Sequence, residues 1–119
     1  MVDEKEQLNQ RQHPRAPIGV IVQVNQASSS QNYFSKNISA GGAFLLADKP
    51  IEVDTRLSIL LYLPKIERPV KAEAEVVWIQ RQEPAGFAIR YTKITDAGRE
   101  LIRWVVDRYL NQKDNGTKK

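Results

Sequence analysis

The chain has 119 residues, of which 41% are hydrophobic, and a formal net charge of +4, so it can support one small domain with a single core. It contains no cysteine and one histidine, which excludes disulfides, Cys-ligated zinc, a thiol nucleophile and a multi-histidine metal site. No apolar run approaches the roughly 20 residues that span a bilayer. We therefore expect a cytoplasmic protein that binds no metal and does not insert into a membrane.

The first part of the chain, residues 1–16, lacks apolar periodicity. Such a composition is typical of a flexible arm. We place the start of the folded domain at residue 11, so that residues 1–10 form the arm proper. This polar segment with charges of both signs does not resemble a secretory signal.

From Ile18 onward, apolar residues alternate with polar ones in short runs that are separated by turn residues. In the clearest run, Val70 and Ala72 alternate with Lys71 and Glu73, which is the pattern of a strand with one buried and one solvent-exposed face. Strands are predicted at residues 20–25, 33–38, 43–46, 56–63, 70–78 and 86–91, with a serine-rich loop at 27–32.

A helix is predicted after the strands, over about residues 96–111. Thr95 or Asp96 can cap its start, and apolar residues such as Leu101 and Val105 repeat at helical spacing. Six short strands followed by one helix predict an all-β fold, a six-stranded antiparallel β-barrel with a C-terminal helix. The folded domain is predicted to span residues 11–111, and a flexible basic tail to follow at 112–119.

A first polar cluster pairs Arg11 with Arg15, on either side of Pro14. Because proline disfavours the helical conformation before it, the segment is extended or turned, and an extended run separates the arginines by roughly 13 Å. A guanidinium group can donate paired hydrogen bonds to a phosphate, match guanine O6 and N7, and stack on a purine. Taken alone, the cluster favours a solvated basic arm without a ligand.

A second polar cluster follows the predicted second strand. Asn37 offers donor and acceptor atoms, and Ser39 offers a hydroxyl. Gly41 and Gly42 permit positive φ and let a ligand approach the backbone closely. A tight turn between strands accounts for the same residue types, and the two interpretations are compatible.

Two side chains outside these clusters are secondary candidates for ligand contact, together with Gly41. Trp78 continues the inward face of its predicted strand, which favours core packing over base stacking. Arg90 lies opposite the apolar face formed by Phe87 and Ile89, so we expect it to point into solvent.

The order and spacing of the two clusters resemble the signature of the PilZ domain, a bacterial cyclic di-GMP receptor family. Family members have R-x-x-x-R ahead of the first strand and D/N-x-S-x-x-G after the second. These motifs are matched here by Arg11, Arg15, Asn37, Ser39 and Gly42. Val76-Val77-Trp78 and the sequence of residues 86–91 also fit family patterns. The resemblance covers about residues 11–110 and implies a six-stranded antiparallel barrel.

By this resemblance, the protein is a stand-alone cyclic di-GMP receptor that acts in processes such as motility or biofilm formation. It would bind the dinucleotide through the five matched residues, order its N-terminal arm and engage an unidentified partner protein. Two alternatives stay open. One is a PilZ-like adaptor in motility or pilus systems that binds no nucleotide. The other is a small barrel that binds single-stranded nucleic acid, which is disfavoured because the aromatic residues lie mostly on predicted apolar faces.

An enzyme is not expected. Apart from His13 on the arm, the sequence offers no general base of the usual kind. It also has no group of metal-ligating residues and no paired carboxylates within one motif.

Overall fold

Strands dominate the chain, and a single long helix follows them. The computed structural model describes residues 14–118, and the side chains of residues 14–112. The elements are β1 Ile21–Gln26, β2 Ser29–Ile38, β3 Gly42–Leu46, β4 Arg56–Tyr62, β5 Val70–Gln80, β6 Gly86–Ile94 and α1 Asp96–Lys118.

The six strands form a closed barrel in the order β1-β2-β3-β6-β5-β4, and every neighbouring pair is antiparallel. The pairing of β1 with β4 closes the sheet, so each of the six described strands has a paired neighbour on both sides. The predicted all-β fold, a six-stranded antiparallel barrel with a C-terminal helix, is confirmed.

The barrel interior is filled by the apolar residues that alternate along each strand. Val22 and Ile59 are both 0% exposed, and they come from the neighbouring strands β1 and β4. The helix α1 adds Ile102 and Val106 to the same core. Within residues 14–118, no helix has the length and apolarity that crossing a membrane requires.

The second strand starts earlier than its composition predicts. β2 begins at Ser29, and only Ala27 and Ser28 form the turn that follows β1. Residues 29–32, predicted as loop, pair with β1 from Gln26 to Gln23. Their serines and amides face solvent on both sides, so the hairpin backbone hydrogen bonds hold the strand without apolar burial.

The two ends of the domain also differ from prediction. Ala16, expected on the flexible arm, is 0% exposed, and its backbone N–H and C=O each bond to Ile38 at 3.0 Å. The helix α1 continues to Lys118 rather than ending near residue 111. It includes Gly116, although glycine weakens a helix by about 1 kcal/mol. Flexibility of the arm at residues 1–10 and of the tail at 112–119 stays a prediction.

Candidate functional site

The candidate site lies at one end of the barrel, where β1 begins, β2 ends and β3 begins. Residues 14–18 enter β1 there, and residues 39–41 connect β2 to β3. The Ala16–Ile38 bridge fixes the first segment against the second. Because β6 ends at the same edge of the barrel, the start of α1 also lies beside this site.

The two polar clusters of the sequence meet at this end of the barrel. The Arg15 guanidinium donates from Nη1 to Oδ1 of Asn37 at 3.4 Å. Arg15 is exposed, and Asn37 is half-buried at the end of β2. A guanidinium has five N–H donors, so the contact with Asn37 leaves donors for an anionic ligand. Arg11 and His13 lie outside the described residues.

Ser39 shapes the connection between β2 and β3. Its side chain is buried, and Oγ accepts hydrogen bonds from the backbone N–H groups of Gly41 at 3.1 Å and Gly42 at 3.2 Å. The backbone N–H of Ser39 also donates to the carbonyl of Gly42 at 2.8 Å. The turn interpretation of this cluster is therefore correct. The role of Ser39 as a ligand contact stays a prediction.

Gly42 is required for a reason that the sequence did not indicate. Gly41 and Gly42 do not use the positive φ that glycine permits, since no glycine within the described residues has positive φ. A Cβ atom added to Gly42 would lie 2.1 Å from the carbonyl oxygen of Ile89. The β3 backbone thus approaches β6 too closely for any side chain, and Gly41 accepts a hydrogen bond from the Tyr91 N–H at 3.0 Å.

Trp78 does not pack in the core, contrary to the prediction. The strand register shifts between Val76 and Trp78, which breaks the alternation and leaves Trp78 51% exposed. Strand pairing places Asn37 opposite Phe44, Phe44 opposite Ala88, and Ala88 opposite Trp78. These residues form one row across the outer barrel face, in which the Trp78 and Phe44 rings are 5.8 Å apart.

Arg90 is exposed on the outer face of β6, directly opposite Gly42 on β3. Its Nη2 donates to Oε1 of Glu75 at 2.8 Å, and both side chains are partly open to solvent. An exposed ion pair of this kind stabilises a fold by at most about 1 kcal/mol. Arg90 can therefore exchange this partner for an anion at little energetic cost.

Arg99 and Tyr91 also belong to this region, although the sequence analysis did not select them. Arg99, in the first turns of α1, donates from Nη1 to the carbonyl of Ala40 at 2.8 Å. The Tyr91 hydroxyl is buried and has no hydrogen-bond partner among the described residues. Burial raises the pKa of Tyr91, while the charges of Arg99 and Arg15 act in the opposite direction. No local motif marks either residue, because their roles depend on contacts between distant elements.

Four of the nine aromatic side chains are exposed, and the other five are buried or half-buried. Phe34 is 53% exposed, Tyr62 is 43% exposed and Trp104 is 49% exposed, and Trp78 is exposed to a similar extent. The four exposed rings weaken the argument from aromatic placement against binding of single-stranded nucleic acid.

Comparison with protein families gives one clear result. The family model for the PilZ domain matches residues 9–108, which is most of the chain. A search of curated protein sequences found no match.

Several solved structures share the fold. The Bacillus subtilis inhibitor of motility MotI/DgrA superposes with a TM-score of 0.76 at 24% identity, covering 87% of this chain and 52% of that one. The PilZ domain of Escherichia coli YcgR with c-di-GMP has a TM-score of 0.67 at 16% identity, covering 92% of this chain and 98% of that one. Borreliella burgdorferi PlzA in complex with c-di-GMP gives 0.58 at 17% identity, covering 88% and 44%.

The chain thus spans about half the length of the MotI/DgrA chain that it matches. At these identities, the structural likeness establishes a shared fold.

Proposed function

The chain belongs to the PilZ domain family, and we propose that it is a receptor for cyclic di-GMP. The family assignment carries this proposal, because the match spans residues 9–108 and includes both signature motifs. Two structures of the same fold were solved with this dinucleotide bound.

The contact between Arg15 and Asn37 supports a single ligand site. It joins the R-x-x-x-R motif to the N-x-S-x-x-G motif at one barrel end. Arg15 would donate paired hydrogen bonds to a phosphate or to guanine O6 and N7. Asn37 is neutral, so it adds no negative charge beside a dianionic ligand.

The proposed ligand-binding residues are Arg11, Arg15, Asn37, Ser39 and Gly42, with Gly41, Trp78 and Arg90 as secondary contacts. The exposed ring of Trp78 offers a flat surface on the same outer row as Asn37, and aromatic rings stack on nucleobases. Ser39 would contribute chiefly by holding the turn, since its hydroxyl already accepts two backbone hydrogen bonds.

We further propose that the ligand orders the N-terminal arm and so creates a surface for a partner protein. The bridge between Ala16 and Ile38 provides a fixed point from which the residues carrying Arg11 and Arg15 would close over the nucleotide. Fixing each further backbone residue costs about 1–2 kcal/mol, which charge-assisted hydrogen bonds and base stacking would offset.

Hydrogen exchange tests the ordering step. Amide exchange between Gln10 and Arg15 should slow on addition of cyclic di-GMP. The Ala16 amide, bonded to Ile38, should be protected in both states and serves as an internal reference. Equal exchange between Gln10 and Arg15 with and without ligand would contradict this mechanism, even if binding occurs.

Calorimetry with cyclic di-GMP tests the receptor function, with GTP and cyclic GMP as controls. We expect selective binding in the micromolar range or tighter, about −8 kcal/mol. Absence of heat and of chemical-shift change at millimolar ligand would favour the adaptor that binds no nucleotide. Tighter binding of a single-stranded oligonucleotide, with a steep dependence on salt, would instead indicate nucleic-acid binding.

A further inference from the structure

A groove separates α1 from the barrel end that carries the candidate site. It has a volume of about 190 Å³, and its walls include Ile18, Pro64, Lys65, Trp104 and Arg108. We propose that this groove, called here the α1 groove, binds an acidic segment of a partner protein that inserts one large apolar side chain. This inference rests on the proposed function, a receptor that engages a partner protein, and it specifies the chemistry of that partner.

The size and lining of the α1 groove favour a peptide side chain as its occupant. Sites for cofactors and drug-sized molecules typically have volumes of about 300–1,000 Å³, so this groove is small for such a ligand. Its walls are mostly apolar, with Ile18 on one side and Val105 and Trp104 on the other. Trp104 is 49% exposed, so covering it would remove apolar surface from water.

The positive charges around the α1 groove favour a partner segment with negative charge. Lys65 and Arg108 both line it, and no carboxylate is among its lining residues. The Arg108 guanidinium lies over the Trp104 ring, 5.3 Å from its centre, which is within cation–π range, and its N–H groups can still donate to a carboxylate. An apolar groove with two cations complements an apolar side chain flanked by carboxylates.

The α1 groove is connected to the candidate nucleotide site by the backbone. Ile18 follows Arg15 by three positions, and two hydrogen bonds hold its backbone. The Ile18 N–H donates to the Ala16 carbonyl at 2.8 Å, and the Ser35 hydroxyl donates to the Ile18 carbonyl at 2.7 Å. Because one segment carries both Arg15 and a wall of the groove, nucleotide and partner segment should influence each other's affinity. Such coupling is reciprocal.

The test uses NMR titration of the full chain, because its two tryptophans give separate signals. Trp104 lies in the α1 groove, whereas Trp78 lies on the outer barrel face and serves as the control. The probe is an end-blocked seven-residue peptide with two leucines among five glutamates. Its counterpart has lysines in place of the glutamates.

We expect the acidic peptide to shift the Trp104 indole signal with a Kd below about 1 mM, and the basic peptide to leave it unchanged. Arg108→Glu should weaken binding about tenfold or more, and Trp104→Ala, followed through the backbone amide signals of Ile18 and Lys65 in the same groove, should abolish it. Arg81→Glu makes the same charge change in the turn between β5 and β6, at the other barrel end, and should bind normally. Both Trp104 and Arg108 are exposed, and thermal melting verifies that the variants fold.

No shift of Trp104, or equal shifts with both peptides, would overturn the proposal. So would a dimer in sedimentation that Trp104→Ala dissociates, which would make a second copy of the chain the occupant. Binding to phosphatidylglycerol vesicles that requires Trp104, without a peptide response, would assign the groove to a membrane surface.

The titration is run first without nucleotide, so its failure is separate from failure of cyclic di-GMP binding in calorimetry. With saturating cyclic di-GMP, the peptide Kd should change about threefold or more. An unchanged Kd would overturn the coupling between the two sites.

Discussion

A hydrogen bond from Nη1 of Arg15 to Oδ1 of Asn37, 3.4 Å long, joins two residues that are 22 positions apart in the sequence. The contact exists because Ala16, next to Arg15, bridges to Ile38, next to Asn37. The two signature motifs are thus brought together by backbone pairing, and the exposed arginine is positioned by its neighbour rather than by its own side chain.

Replacement of Arg15 tests its proposed role in binding. Arg15→Ala should weaken cyclic di-GMP binding by about 1.5–3 kcal/mol, or ten- to a hundredfold, because charge-assisted hydrogen bonds are lost. The melting temperature should change little, since Arg15 is exposed. Calorimetry and thermal melting measure the two effects. Arg81→Ala is the matched control at the other barrel end, and wild-type affinity in Arg15→Ala would refute the assigned role.

Replacement of Ser39 should affect both stability and binding. Ser39→Ala removes the acceptor for the N–H groups of Gly41 and Gly42, which should lower the free energy of unfolding by about 1–3 kcal/mol. Binding should weaken less than in Arg15→Ala. Urea denaturation measures the stability, with the exposed Ser58→Ala as control. An unchanged free energy of unfolding would show that the turn does not depend on the hydroxyl.

Gly42 and Gly19 form a matched pair for a steric test. Gly42→Ala brings Cβ to 2.1 Å from the backbone carbonyl of Ile89, whereas Gly19→Ala meets the ring of Phe34 at 2.6 Å. The Phe34 ring is exposed and can rotate away, but the β6 backbone cannot. We expect Gly42→Ala to destabilise the fold by about 1–3 kcal/mol or more and Gly19→Ala to cost much less. Equal melting temperatures of the two variants would contradict this assignment.

Arg99, on α1, should stabilise the turn between β2 and β3. Arg99→Ala leaves the buried Ala40 carbonyl without its donor, so amide exchange at Gly41 and Gly42 should accelerate and nucleotide affinity should fall about three- to tenfold. Arg103→Ala, one turn along α1, removes only an exposed pair with Glu100 and should change neither quantity. Wild-type exchange at the turn in Arg99→Ala would show that the helix does not support it.

Tyr91 should make stability depend on alkaline pH. Its pKa is raised by burial, so above about pH 10 the folded protein keeps a proton that the unfolded chain releases. The unfolded state then binds fewer protons, and stability falls as pH rises. Tyr91→Phe removes the contribution of Tyr91, while the half-buried Tyr33, whose pKa burial also raises, keeps its own. Because the buried hydroxyl is unpaired, the variant should also be more stable by about 1 kcal/mol at neutral pH.

Urea denaturation at pH 7 and at about pH 11 separates these effects of Tyr91. Tyr62→Phe, at an exposed position, is the control and should behave like the wild type. Equal loss of stability at high pH in the wild type and in Tyr91→Phe would contradict the raised pKa.

The sequence by itself determined the barrel and the presence of the two family signature motifs. Period-two alternation in runs such as Val70 to Ala74 depends on local geometry, because successive side chains of a strand point to opposite faces. The turn at Ser39 is likewise local, since its hydroxyl bonds to amides two and three positions along the chain.

Only the tertiary structure decided how these elements form a site. Trp78 turned outward because the register of β5 against β6 shifts beside it, and alternation alone cannot indicate a bulge. Gly42 is needed because of a carbonyl on another strand, and Arg99 reaches a residue 59 positions away. Contacts of this kind depend on how distant strands and the helix are placed in space, and neither composition nor periodicity encodes that placement.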